Sequence, residues 1–182
     1  MRTVTSSLRR AVRAGFTLIE LLAVIAIISI LVVFLLPRVT EAFDAGHVTA
    51  CKMNMIEINK GLMLYKTSFN RIPSGSGVKF FAELISSKTL DNSKSAALRL
   101  TCPGVEYGAL QGLTGKPETE WYNDLAAIDG TYSSYAGRDI KNHPLRRFPG
   151  EAKDGAVVCD DNDGGMNHKH TTVLLLADGT TQ

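Results

Sequence analysis

Residues 9–38 read RRAVRAGFTLIELLAVIAIISILVVFLLPR, and the rest of the chain is organised around this stretch. From Phe16 to Leu36 it holds twenty-one residues, of which only Thr17, Glu20 and Ser29 are polar. As a helix rising about 1.5 Å per residue it covers about 30 Å, the hydrocarbon thickness of a bilayer. A charged carboxylate inside such a run costs on the order of 2.5–3.5 kcal/mol, so Glu20 needs a partner or a task. Arg2, Arg9, Arg10 and Arg13 precede the run, with no acidic residue among residues 1–15. That bias holds the N-terminus on the cytoplasmic side and sends the remainder across. A cleaved secretory signal would have a shorter apolar region and an A-x-A-like site, whereas LPRVTEAFDA follows here. The reading is a single-pass span of the cytoplasmic membrane, in contact with lipid, carrying an extracytoplasmic C-terminal domain.

Gly15-Phe16-Thr17-Leu18-Ile19-Glu20, behind a basic leader and ahead of Pro37, resembles the processing site of type IV pilins and type II secretion pseudopilins. The resemblance implies that a prepilin peptidase cuts between Gly15 and Phe16 and that the new Phe16 amine is methylated. It also implies that Glu20 of an incoming subunit neutralises the Phe16 ammonium of a neighbour, and that an inner-membrane assembly platform stacks the subunits into a filament. The chemistry is consistent with those positions. Glycine lacks a Cβ and lets a protease approach the backbone, and methylation keeps the amine's charge. The alternative is a single-pass anchored extracytoplasmic domain that binds a ligand and does not polymerise.

The formal net charge is +2, and removing the leader's four arginines leaves +2 − 4 = −2 for residues 16–182. No surviving basic patch suggests nucleic acid as a partner. The expected segments are a leader over 1–15, a membrane and assembly helix over 16–36, its amphipathic continuation over 37–69, and a globular domain over 70–182. Pro37 lacks an N–H and its ring clashes with the Val33 carbonyl, so a kink is expected there. Beyond it, Val48, Cys51, Met55, Ile58, Leu62, Tyr65 and Phe69 follow steps of three and four, one apolar stripe suited to packing on a sheet. A coiled-coil dimer is the rival, weakened by Gly46 and Gly61.

Asn70 to Gly77 reads as a loop, and Lys79 to Ser86 as a short helix that places Phe80, Phe81, Leu84 and Ile85 on one face. Residues 87–130 are rich in turns, with a short strand expected near Ala97 to Cys102. Thr131 to Ala136, Ala156 to Cys159 and Thr171 to Ala177 have strand character, the last ending in the hairpin signal Asp178-Gly179. The fold class is therefore α+β: one long N-terminal helix laid on a small, mostly antiparallel sheet. That resembles the α/β roll of pilin-like proteins.

His168, nine residues and then Asp178-Gly179 resemble the H-X9-DG segment of prepilin-type processing-associated proteins, although Lys169 and His170 stand where that group has glycines. Cys51-Lys-Met-Asn54, Cys102-Pro103 and Ser134-Tyr135-Ala136-Gly137 are similar to pieces of the same group. Read from the residues, Asp178 caps a turn, Gly179 supplies positive φ and His168 starts a strand.

Asp160, Asp161 and Asp163 crowd hard oxygen donors onto a glycine-containing turn, a candidate calcium site. The spacing is not that of an EF-hand, because Cys159 falls where the first ligand belongs. Cys159, His168, His170 and His143 offer sulfur and nitrogen for zinc, but Cys-x8-His-x-His is an unfamiliar ligand spacing and surface histidines account for it. Cys51, Cys102 and Cys159 permit one internal disulfide in three pairings. Cys51 on the apolar stripe suits a buried thiol, leaving Cys102 with Cys159, whereas the resemblance implies Cys51 with Cys102. No cofactor is required. The sequence has no G-x-S-x-G and no H-E-x-x-H, and Pro117 follows Gly115-Lys116 where a phosphate-binding loop needs Ser or Thr, so no enzyme is expected.

Overall fold

A computed structural model describes residues 15–162 and 167–182. The chain divides into two compact units, one ending at Glu41 and the other covering Ala42–Gln182. The leader before Gly15 lies outside the described residues, as do Asp163, Gly164 and Gly165 of the acidic stretch.

The first unit carries the start of helix α1 (Leu18–Phe69). Its large apolar side chains, from Phe16 to Leu36, are all exposed. Among the described residues α1 is the one helix long and apolar enough to cross a membrane. It runs through Pro37, whose ring nitrogen has no hydrogen to give the Val33 carbonyl.

In the second unit the stripe on α1 becomes the floor of the core. Cys51, Met55, Ile58, Leu62 and Tyr65 are buried and Val48 packs against them half-buried. Phe69 departs from the expectation: the helix ends there, and its ring stays in solvent, leaning on Tyr65 with centroids 4.6 Å apart. Helix α2 (Val78–Ser86) buries Phe80, Phe81, Leu84 and Ile85, and also Val78 and Ala82, so it is enclosed on more than one face. Each such side chain withdrawn from water contributes about 1.5–3 kcal/mol.

Helix α3 (Lys94–Arg99) replaces the strand expected near Ala97 to Cys102. Ser93 caps it by accepting the Ala96 N–H at 3.2 Å, and the small Ala96 and Ala97 are good helix formers buried on its inner side. The following stretch to residue 130 is three short 3-10 turns and irregular chain. A fourth 3-10 turn, Gly130–Tyr132, takes the start of the segment Thr131 to Ala136 expected to be a strand, and strand structure begins only at its last residue, in β1 (Ala136–Gly137).

The sheet is antiparallel with order β1-β2-β3, where β2 is Ala156–Cys159 and β3 is Leu174–Leu176. Ala136 faces Cys159 and Cys159 faces Leu174, with an irregularity between Ala156 and Val158. A bulge there lets the successive residues Val157 and Val158 both be buried. Gly137 also exchanges backbone hydrogen bonds with Gly77 at 2.9 and 3.0 Å. A Cβ at Gly137 would lie 2.4 Å from that of Phe80, so only glycine lets β1 meet the start of α2. After β3 the tail turns back, with Leu174 and Gln182 exchanging backbone bonds at 3.0 Å. The α+β architecture, a long N-terminal helix with a small antiparallel sheet, is that of pilin-like folds.

Candidate functional site

At the N-terminal end of α1, Thr17 is the capping residue. The Thr17 N–H and hydroxyl both donate to Glu20 Oε2, at 2.8 and 2.7 Å, and the Glu20 N–H returns to the Thr17 hydroxyl at 3.3 Å. This is a reciprocal capping box, and the T-x-x-E spacing signalled it in the sequence. Glu20 therefore has a local task within its own chain as well as the intersubunit one implied by resemblance. Gly15 and Phe16 lie just outside the helix and are exposed. A Cβ on Gly15 would meet nothing within 4 Å among the described residues, so their packing does not require glycine there.

Residues 10–36 match the prokaryotic N-terminal methylation motif. The match covers Gly15, Phe16 and Glu20, and supports a pilin-like or pseudopilin-like precursor. No characterised protein and no solved structure matches the chain. With its methylation motif, the apolar helix fits a single-pass anchor.

A second assembly of reactive groups lies wholly inside the second unit. Cys51, Cys102, Asp160 and His168 are all buried, and one ligand atom from each lies within 4.8 Å of the others. His168 Nε2 is 3.1 Å from Asp160 Oδ2 and 3.4 Å from Cys102 Sγ, while Cys51 Sγ is 3.7 Å from the same Asp160 oxygen. Cys159, His170 and His143 stand apart: Cys159 Sγ faces the Asp161 carbonyl at 3.3 Å, and both histidines are exposed. His168 is not a surface histidine, nor does it start β3. It precedes that strand on the β2–β3 connection and is 2% exposed.

Local structure explains the convergence. Cys51 sits on the buried stripe of α1. Cys102 follows α3 in a segment pinned by Ser133-Ser134-Tyr135. The Ser133 hydroxyl donates to the Leu100 carbonyl at 2.5 Å, and Ser134 Oγ accepts the Cys102 N–H at 2.9 Å. Asn54, one turn along α1 from Cys51, donates to the Thr101 carbonyl at 3.3 Å. Asp160 leaves β2 and is clamped to Val173, its N–H donating to the Val173 carbonyl at 3.1 Å and its Oδ1 accepting the Val173 N–H at 2.9 Å. Thus Cys51, Asn54, Cys102, Ser134, Tyr135 and His168, scattered pieces of the second resemblance, border one buried point.

The surrounding donors aim at the sulfurs. The Tyr135 hydroxyl donates to Cys51 Sγ at 3.2 Å and the Gly104 N–H to Cys102 Sγ at 3.4 Å. Contact with Cys102, then burial, pushes the Cys51 thiol up, while the bonds from Cys51 and Gly104 draw Cys102 down. Burial raises the Asp160 carboxyl. On the far side of the imidazole, Nδ1 is buried without a hydrogen bond and faces Asp44 Oδ1 at 3.6 Å, beyond hydrogen-bond length.

Of the acidic stretch, Asp160 points inward at sulfur and nitrogen, donors softer than calcium takes. Asp161 is engaged elsewhere, accepting the Asn167 N–H at 2.9 Å and the Thr172 hydroxyl at 2.5 Å. Asp163 lies outside the described residues.

Asp178 is exposed, and its Oδ1 accepts the Thr180 N–H at 2.9 Å and hydroxyl at 2.7 Å. Gly179 has φ 86°, which a side chain would strain. Those bonds, the backbone one foremost, hold the Asp178 carboxyl below its ordinary value. Its stabilising effect is therefore complete above about pH 4 and lost as pH falls through the lowered value. Asp178→Ala should lower the melting temperature at pH 7, and the gap from wild type should close on acidification; a gap independent of pH would contradict this role.

Proposed function

We propose that this chain is a structural subunit of a type IV pilus-like or type II secretion pseudopilus filament, cut by prepilin peptidase between Gly15 and Phe16 and assembled through its N-terminal helix. The observation that carries the reading is that the methylation motif coincides with the apolar start of α1, whose side chains are exposed from end to end. Removing the leader frees an ammonium on Phe16, one helical turn from the Glu20 carboxylate. In a filament, that amine of one subunit and Glu20 of the next lie at the same depth, and their pairing offsets the cost of holding each charge away from water.

Because Glu20 also closes the capping box, Glu20→Ala would confound helix capping with assembly. Glu20→Gln separates them, since glutamine serves the box but carries no charge. The variant should reach the membrane and be processed. Crosslinks between cysteines engineered into neighbouring spans should fall about 10²-fold, the equivalent of about 3 kcal/mol for an unanswered charge. Incorporation at wild-type level would remove Glu20 from the assembly role. An anchored ligand-binding domain that never polymerises would give no span-to-span crosslinks even in the wild type.

A further inference from the structure

The geometry points to a closed tetrahedral site for a zinc-class divalent metal ion in the second unit, with Cys51 Sγ, Cys102 Sγ, Asp160 Oδ2 and His168 Nε2 as its four ligands. Zinc binds sulfur at about 2.3 Å and nitrogen or oxygen at about 2.0–2.2 Å. A tetrahedron of those lengths has edges of about 3.5 Å from sulfur to nitrogen, 3.3 Å from nitrogen to oxygen and 3.6 Å from sulfur to oxygen. The corresponding separations are 3.4, 3.1 and 3.7 Å. Four side chains from three separate segments thus match that tetrahedron on these three edges, and all their ligand atoms lie within 4.8 Å of one another. Two thiolates, an imidazole and a carboxylate form a borderline-soft set, suited to zinc and foreign to calcium or magnesium.

The outer contacts are those of a metal site. The Tyr135 hydroxyl and Gly104 N–H each donate to a sulfur, and the Val173 N–H donates to the carboxylate oxygen that faces away from the cluster. Such donors offset the surplus negative charge left when two thiols give up their protons to bind the ion. His168 presents its orphaned Nδ1 to Asp44, two turns before Cys51 on α1. A proton on Nδ1 leaves the Nε2 lone pair for the metal, the usual carboxylate–histidine–metal arrangement. A disulfide between Cys51 and Cys102 would use the sulfurs but leave Asp160 and His168 buried with no ion to serve. No ligand is more than 2% exposed, so no position is open to substrate, and the ion ties α1, the Cys102 segment and the β2–β3 connection together as a structural staple.

The test uses the full chain, purified in detergent under reducing conditions and exposed to zinc or to cobalt. Elemental analysis should find about one zinc per chain. The cobalt form should show thiolate charge-transfer absorption with the visible bands of a tetrahedral site. Cys159→Ser should keep the ion, whereas Cys102→Ser and His168→Ala should bind at least about tenfold less. Chelation should lower the wild-type melting temperature, a readout that stands even where a variant fails to fold. Wild-type protein that takes up neither metal, or that carries a Cys51–Cys102 disulfide and takes up none after reduction, would overturn the site.

Discussion

Gly15→Val is expected to leave the chain uncut in cells that contain prepilin peptidase. The expectation depends on a contrast between what the fold requires and what a protease requires. Gly15 is exposed, and an added Cβ would meet nothing within 4 Å among the described residues, so the substitution should not disturb their packing. The only partner that would feel the branched side chain is an enzyme closing over the peptide bond to Phe16. Overpacking costs about 1–3 kcal/mol in a fitted site, which corresponds to about 5–150-fold in cleavage rate. Intact mass of the membrane-extracted protein measures it directly: wild type should lose its first fifteen residues and gain a methyl group, while the variant should retain its N-terminus. Gly46→Ala is the matched control, because Gly46 also has nothing within 4 Å and should be processed normally. Normal trimming of Gly15→Val would place the cut elsewhere.

The second large effect concerns stability. Asp160→Ala should cost about 3–5 kcal/mol, because it leaves two buried polar partners unmet at about 1–3 kcal/mol each. Asp160 is wholly buried, and its loss strips His168 Nε2 of its neighbour and leaves the Val173 N–H with no side-chain acceptor. For a unit of this size that amounts to a fall of roughly 10–20 °C in melting temperature. The adjacent Asp161→Ala should cost only about 1–2 kcal/mol, since its half-buried carboxylate serves two hydrogen bonds that water can replace in part. Equal losses at the two positions would show that the buried cluster is not a distinct energetic centre.

Much of the fold was legible because periodicity is local. The apolar run, the stripe from Val48 to Tyr65 and the Phe80–Ile85 face each announce a helix through spacing alone, and Ala156–Cys159 and the run through Leu176 announce strands through apolar residues bounded by turns. Ala97 to Cys102 misled because it carries no decisive period, and the capping Ser93 tipped it into a helix. Glu20 was singled out as an anomaly in lipid, while its simpler service to Thr17 was also written in the T-x-x-E spacing.

The sequence by itself determined the membrane-length helix, the methylation motif over residues 10–36 and the α+β class, since each is a property of neighbours along the chain. Only the tertiary structure decided that Cys51, Cys102, Asp160 and His168 meet while Cys159 and His170 do not. Those four residues are spread over more than a hundred positions, and no ligand spacing links them. Their meeting is set by the burial of the α1 stripe in the core, by Ser133 and Ser134 holding the Cys102 segment, and by Val173 holding Asp160.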